Sequence, residues 1–242
     1  MLDVCGQRIV CELGPDNYYA PGYFSPAPRF QRFYRKSSLG HNVVSVGGLP
    51  QRSYAPSAEL LGHAAPTHAA AGPGALDLSL NVTSSYEGGS RAAGLLGQTR
   101  SWSFRPGASG GGGDSLAPLL TLADSFLWRA DSRAPNVSVA MHTFGEVQLL
   151  DGRTARISVG GEAVILRILL SHSHCRGVHL TCAAVRLQPP QLPTLGLTRI
   201  RAIAMQPAER GCSRIVTAIW REDRSEEFNA SLARGCDPAV SW

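Results

Sequence analysis

Leu76-Asp77-Leu78-Ser79-Leu80-Asn81-Val82-Thr83 places an apolar side chain at every second position and a polar one between. A strand projects successive side chains to opposite faces, so this run reads as a strand with one face buried and one face wet. The same period returns at Ala155, Ile157 and Val159 against Arg156 and Ser158. It returns less cleanly at Ile200, Ala202 and Ala204 against Arg199, Arg201 and Ile203. Ile215-Val216-Thr217-Ala218-Ile219-Trp220 is β-branched on both faces, which suits a strand buried on both sides. Asp151-Gly152 and Gly160-Gly161 between such runs are hairpin dipeptides. Strand candidates recur about every 10 to 15 residues, and only residues 116–128 pass for a helix. The expected architecture is all-β, a large antiparallel two-sheet β-sandwich.

Outside this rhythm stand two Gly/Ala/Pro-rich stretches, about residues 62–74 and 105–114, read as flexible surface insertions. The expected layout is one sandwich domain over residues 1–222 and a polar tail over 223–242, with no internal repeat.

Composition narrows the chemistry. The 242 residues are 43% hydrophobic and 17% charged, with 26 Gly and 16 Pro, enough apolar content for a core. No apolar run approaches the roughly 18 residues of a membrane span, and no membrane partner is expected. The net charge of +5 comes from 23 basic residues, of which Lys36 alone is lysine. A phosphate-binding P-loop needs a lysine after glycine, and Lys36 sits in Tyr34-Arg35-Lys36-Ser37, so nucleotide hydrolysis of that type is excluded. The six cysteines show no C-x-x-C spacing, which argues against a zinc ribbon or a thioredoxin-type site. Glycosylation triplets at Asn81, Asn136 and Asn229 point to an extracytoplasmic setting, although Met1-Leu2-Asp3-Val4-Cys5-Gly6 carries no signal peptide.

The stretch richest in chemistry is residues 18–36. It holds seven of the 13 Phe and Tyr residues, with Arg29, Arg32, Arg35 and Lys36 between them. Aromatic faces stack on sugar rings and guanidinium forks grip carboxylate or sulfate, so Tyr18, Tyr23, Arg29, Arg32, Tyr34 and Arg35 are candidates to bind an acidic polysaccharide. The alternative is an aromatic loop packed onto the sheet. No nucleic-acid-binding motif accompanies the stretch, and no nucleic acid partner is expected. His172, His174 and Cys175, with His179 and Cys182 nearby, read as a polar hairpin tip before a metal site. Gly107-Ala108-Ser109-Gly110-Gly111 fits a serine-hydrolase elbow only formally, and His63 and His68 read as solvated.

Several segments together resemble one family. Glu12-Leu13-Gly14, Asn17-Tyr18, Pro21-Gly22-Tyr23-Phe24, Phe33-Tyr34-Arg35-Lys36, Gly40-His41-Asn42-Val43 and Gln51 look like the C-terminal sheet domain of the heparinase II/III-like polysaccharide lyases. Ser85-Tyr86, Ala123-Asp124-Ser125-Phe126 (likened to a turn of that family), Val139-Ala140-Met141-His142-Thr143 and the hairpin Asp151-Gly152-Arg153-Thr154-Ala155 continue the likeness in order, from about Asp3 to Trp220. The resemblance implies a helical toroid preceding a large β-sandwich, and β-elimination of uronate-containing glycans in the cleft between them. In that family a tyrosine and a histidine of the helical domain transfer the protons, so no catalytic residue is assigned here. It also implies a structural zinc held by two histidines and an aspartate. His41 matches one histidine and Glu12 stands where the aspartate would be, an incomplete ligand set. The likeness begins inside the sandwich, so the helical domain is expected as a missing N-terminal partner of the same protein, and the chain alone is expected to be inactive. A non-catalytic acidic-carbohydrate-binding module and a purely structural secreted sandwich are the rival readings.

Overall fold

The computed structural model describes residues 1–24, 33–49, 51, 58–64, 74–86, 94–106, 118–129, 135–170, 178–187, 191–204 and 212–222. Among the described residues fourteen strands appear in this order: β1 Leu2–Val4, β2 Gln7–Val10, β3 Val44–Val46, β4 Glu59–Ala64, β5 Leu76–Asn81, β6 Leu95–Phe104, β7 Leu120–Trp128, β8 Val137–Thr143, β9 Glu146–Leu149, β10 Thr154–Val159, β11 Glu162–Leu170, β12 Val178–Ala184, β13 Thr198–Ala204 and β14 Cys212–Arg221. An eight-stranded sheet runs β4-β5-β6-β7-β14-β11-β10-β9, and a four-stranded sheet runs β12-β13-β8-β3. All pairings are antiparallel, which makes the two-sheet sandwich expected from the period-2 pattern.

The alternation works as read. Ile200, Ala202 and Ala204 of β13 and Val137, Val139 and Met141 of β8 join one core with Phe126, Leu166, Ile168, Ile215 and Ile219 of the larger sheet. Arg199 and Arg201 occupy the opposite face of β13. β14 lies between β7 and β11 and buries both faces: Ile215 and Ile219 in the main core, Val216, Ala218 and Trp220 in a second cluster with Ala123 and Leu169. Gly160 and Gly161 turn β10 into β11 at φ 57° and 91°, backbone that favours glycine. The Asp151 carboxylate accepts from the Arg153 N–H at 2.6 Å in the turn from β9 to β10.

Three expectations change. Residues 120–128 form the strand β7, not a helix. Ala123 is buried on the second face, which hides the strict period and leaves an apolar run that periodicity cannot assign. Asp124 therefore sits inside a strand, opposite Arg100 of β6 and Ile215 of β14, and Ala123-Asp124-Ser125-Phe126 is no turn. Residues 62–64, read as the start of an insertion, belong to β4. They pair with Ser79, Leu78 and Asp77 after a register shift between Leu60 and Gly62. The remainder of that stretch up to 73, the glycine run at 107–114 and the tail at 223–242 lie outside the described residues.

Candidate functional site

Residues 33–43, leading into β3, lie against the outer face of the four-stranded sheet and are fastened there by polar contacts. Two single 3-10 turns, Tyr34–Lys36 and Ser38–Gly40, fold residues 34–40 tightly. The Tyr34 N–H donates to Gln191 Oε1 at 2.6 Å, and Arg35 Nη1 donates to the Leu13 carbonyl at 2.6 Å. Gly40 is buried against the Tyr34 carbonyl, and a Cβ there would run into that backbone oxygen. Gly40→Ala is therefore expected to cost about 1–3 kcal/mol, as overpacking does. A urea midpoint within error of the wild type would contradict the close approach.

Asn42 is the hub behind this loop. Its Nδ2 donates to the Cys11 carbonyl at 2.8 Å, and its Oδ1 accepts from the His142 N–H at 2.8 Å. These backbone partners fix the amide orientation, so His142 Nδ1, 3.1 Å from the same oxygen, carries the proton. His142 Nε2 is then an acceptor, and the Tyr34 hydroxyl donates to it at 2.7 Å. Burial, followed by the Arg199 charge, pushes the His142 pKa down to about 4, and burial pushes the Tyr34 phenol up against the pull of Arg199 and Arg201. Both groups are neutral at pH 7. His142 is fully enclosed, so the pair anchors the loop and offers no imidazole to a ligand.

Glu12 and His41 meet at the edge of this network. His41 Nδ1 and Glu12 Oε2 are 2.8 Å apart, and Glu12 Oε1 accepts the Asn42 N–H at 3.1 Å. The Glu12 hydrogen bond and charge raise the His41 pKa. Burial opposes ionisation of Glu12, but its bonds to His41 and Asn42 hold the carboxyl below its usual value. Among the described residues no third His, Cys, Asp or Glu joins them. Two donors engaged with each other do not fit a closed tetrahedral zinc site.

The aromatic stretch divides in two. Tyr23 is 6% exposed and packs edge-on to Phe33 in a small buried cluster with Ala20. Tyr18 and Phe24 are 53% and 74% exposed, their rings 5.8 Å apart and within 16° of parallel, so together they form a stacked aromatic platform open to solvent. The Lys36 ammonium lies 4.1 Å from the Tyr23 ring centre and donates to the Tyr23 carbonyl beneath that platform. Of the six predicted glycan-binding residues, Tyr18 is exposed, Tyr23 is core, Tyr34 is half-buried on His142 and Arg35 is tied to carbonyls. Arg29 and Arg32 lie outside the described residues, as do His172, His174 and Cys175.

Sequence reasoning missed the arginines of β13 as part of this surface. The Arg199 guanidinium stands 5.8 Å from the centre of the Tyr34 ring, and Arg199 is directly opposite His142 in the β13–β8 register. The available signal was an i, i+2 arginine pair on a strand whose other face is apolar. A cleft of about 510 Å³ opens beside the network. Its wall of Val10, Leu78, Trp102, Leu122 and Met141 is apolar, and the Glu12, Asn42 and Arg100 at its end are already bonded to protein.

No protein-family profile and no curated protein matches the chain. Solved structures do. A crystal structure of heparinase III matches 80% of this chain at TM-score 0.51 and 13% identity, and the heparinase III BT4657 gene product matches 82% at TM-score 0.53 and 12% identity. The chain spans about a quarter of the length of those proteins, 25% and 26% respectively. At that identity the likeness is one of fold: a heparinase III-like β-sandwich.

Proposed function

We propose that the chain is the sandwich portion of a polysaccharide lyase-type protein that holds acidic, uronate-containing glycans, and that elimination requires groups of a helical domain outside this chain. The observation that carries the reading is the fold likeness to heparinase III over four-fifths of the chain. The exposed Tyr18 and Phe24 rings, and Arg199 next to the Tyr34 ring, support it, because stacked sugar rings and anionic groups need aromatic faces and basic forks. An extracytoplasmic setting belongs to the same proposal. Among the described residues no helix is long and apolar enough to cross a membrane.

A second reading, a binding module without turnover, is favoured by one specific feature. The Tyr34–His142 pair has the groups of an acid–base couple, yet His142 is enclosed and its partner's proton is already committed to it. In a third, purely structural reading, the aromatic stretch only packs, as Tyr23 and Phe33 do.

The test is chromatography on immobilised heparan sulfate, with product assay in the same tube. The expected result is salt-sensitive retention without the unsaturated-uronate absorbance of an elimination product. Appearance of that absorbance would show that this chain performs elimination unaided. Absence of retention would leave the structural reading. Tyr18→Ala with Phe24→Ala is expected to weaken binding roughly 10-fold, about 1.4 kcal/mol, through loss of stacking. The exposed rings should contribute no more than about 0.5 kcal/mol to folding, so an unchanged affinity would remove the platform from the site.

A further inference from the structure

Arg199 and Arg201 project from the outer face of β13, two residues apart and so about 7 Å from each other along the strand. Their cross-strand neighbours are small or already engaged. Arg201 lies between Thr181 and Ala140, and Arg199 between Ala183 and His142. Tyr34 caps one end, its ring beside the Arg199 guanidinium and its phenol within the influence of both positive charges.

Four other arginines of the described chain are paired with acids: Arg8 with Asp3, Arg100 with Asp124, Arg105 with Asp77 and Arg156 with Glu222. Among the described residues no carboxylate pairs with Arg199 or Arg201, and the side-chain partner of Arg199 is the Tyr34 phenol rather than an acid. Two guanidinium forks on a rigid strand, next to a phenol and with no acid of their own, form an arrangement that a bound oxyanion completes. Protein acids would otherwise be expected to neutralise so close a pair.

We infer that Arg199 and Arg201, with Tyr34 at their edge, form a subsite for the anionic group of an acidic sugar, a carboxylate or a sulfate. The subsite makes the surface select charged over neutral glycans. The inference rests on the glycan-holding reading and deepens it: the Tyr18–Phe24 platform takes the ring faces of any sugar, while the β13 pair reads charge. Carboxylate and sulfate share this chemistry, and they are separated by comparing a non-sulfated polyuronate with heparan sulfate.

The test compares wild type, Arg199→Ala/Arg201→Ala and Arg199→Lys/Arg201→Lys in two measurements. Binding to heparan sulfate, polyuronate and a neutral glucan is read by calorimetry, and stabilisation by sodium sulfate against chloride at equal ionic strength is read as a Tm shift. The alanine pair is expected to bind both acidic polymers at least 10-fold more weakly, leave any neutral-glucan binding unchanged and lose the sulfate-dependent Tm rise. The lysine pair, which keeps charge but not the fork, should fall between. If alanine and wild type bind the acidic polymers alike, the subsite is overturned while the glycan-holding reading stands. If sulfate stabilises only the wild type and no polymer binds, the pair is a site for a free oxyanion, and its assignment to a sugar falls with the glycan reading. If neither sulfate nor polymer acts on the wild type, both fall. The lysine pair carries the comparison should the alanine variant fail to fold.

Discussion

Asp124→Ala is expected to lower stability by about 3–5 kcal/mol, read as a fall in the urea midpoint at constant m-value. Asp124 and Arg100 are almost wholly removed from water between the sheets. Arg100 Nε and Nη2 donate to the two carboxylate oxygens at 2.7 and 3.0 Å, and Gln98 Nε2 adds a third bond at 2.9 Å. Removing the carboxylate strands a buried guanidinium whose remaining bond is to the Asn42 carbonyl at 2.6 Å. The loss would therefore spread to the hub that holds the loop. Asp124→Leu with Arg100→Met removes both charges and should cost clearly less than the single change, because no uncompensated ion stays behind. A single-variant loss below about 1 kcal/mol, or a double variant worse than the single, would show that the pair does not organise the core.

Acidification is expected to remove on the order of 3 kcal/mol between about pH 6.5 and pH 4 through His142 alone. The ordinary imidazole value is 6.5, and in the folded chain burial and then Arg199 bring His142 to about 4. Above 6.5 both states are neutral and the full stability is present. Between the two values the unfolded chain binds a proton that the folded chain refuses, so stability falls with pH by about 1.4 kcal/mol per unit. Neighbouring groups do not mimic this above about pH 4.5. The His41 pKa is raised, so its contribution is complete below 6.5 and is lost only as pH rises. Glu12 and Asp151 are held below their usual carboxyl values, and their contributions disappear only at lower pH. His142→Gln should flatten the curve from 6.5 to 4.5. The same acid slope in variant and wild type would mean that the imidazole does not carry the effect.

The two predictions rest on residues that differ in how visible they are in the chain. Asp124 and Arg100 lie 24 positions apart, and nothing local marks them as partners, since either would be unremarkable on a wet face. Their pairing follows from the β6–β7 register, which puts Arg100 opposite Asp124 on the inner face. His142 was legible as part of Met141-His142-Thr143, but not its tautomer, because that depends on Asn42, 100 positions away. Within residues 18–36 the structure leaves Tyr18 and Phe24 exposed. Spacing within one loop did not reveal that Tyr23 is core or that Arg35 is spent on backbone carbonyls.

The amino-acid order by itself determined the strands at β5, β10, β13 and β14, the hairpin turns beside them and which of their faces is apolar. Each of these depends on a residue and its nearest neighbours, through a side-chain period of two and the positive φ that glycine accepts. Tertiary structure decided the rest: β7 as a strand, Asp124 as an ion inside the core, and Arg199 and Arg201 as a basic surface beside Tyr34. Burial on both faces erases the period of β7, and the charged pairings join strands far apart in the chain. Whether a charge there is neutralised, enclosed or left to meet a ligand depends on the register of sheets that local sequence does not encode.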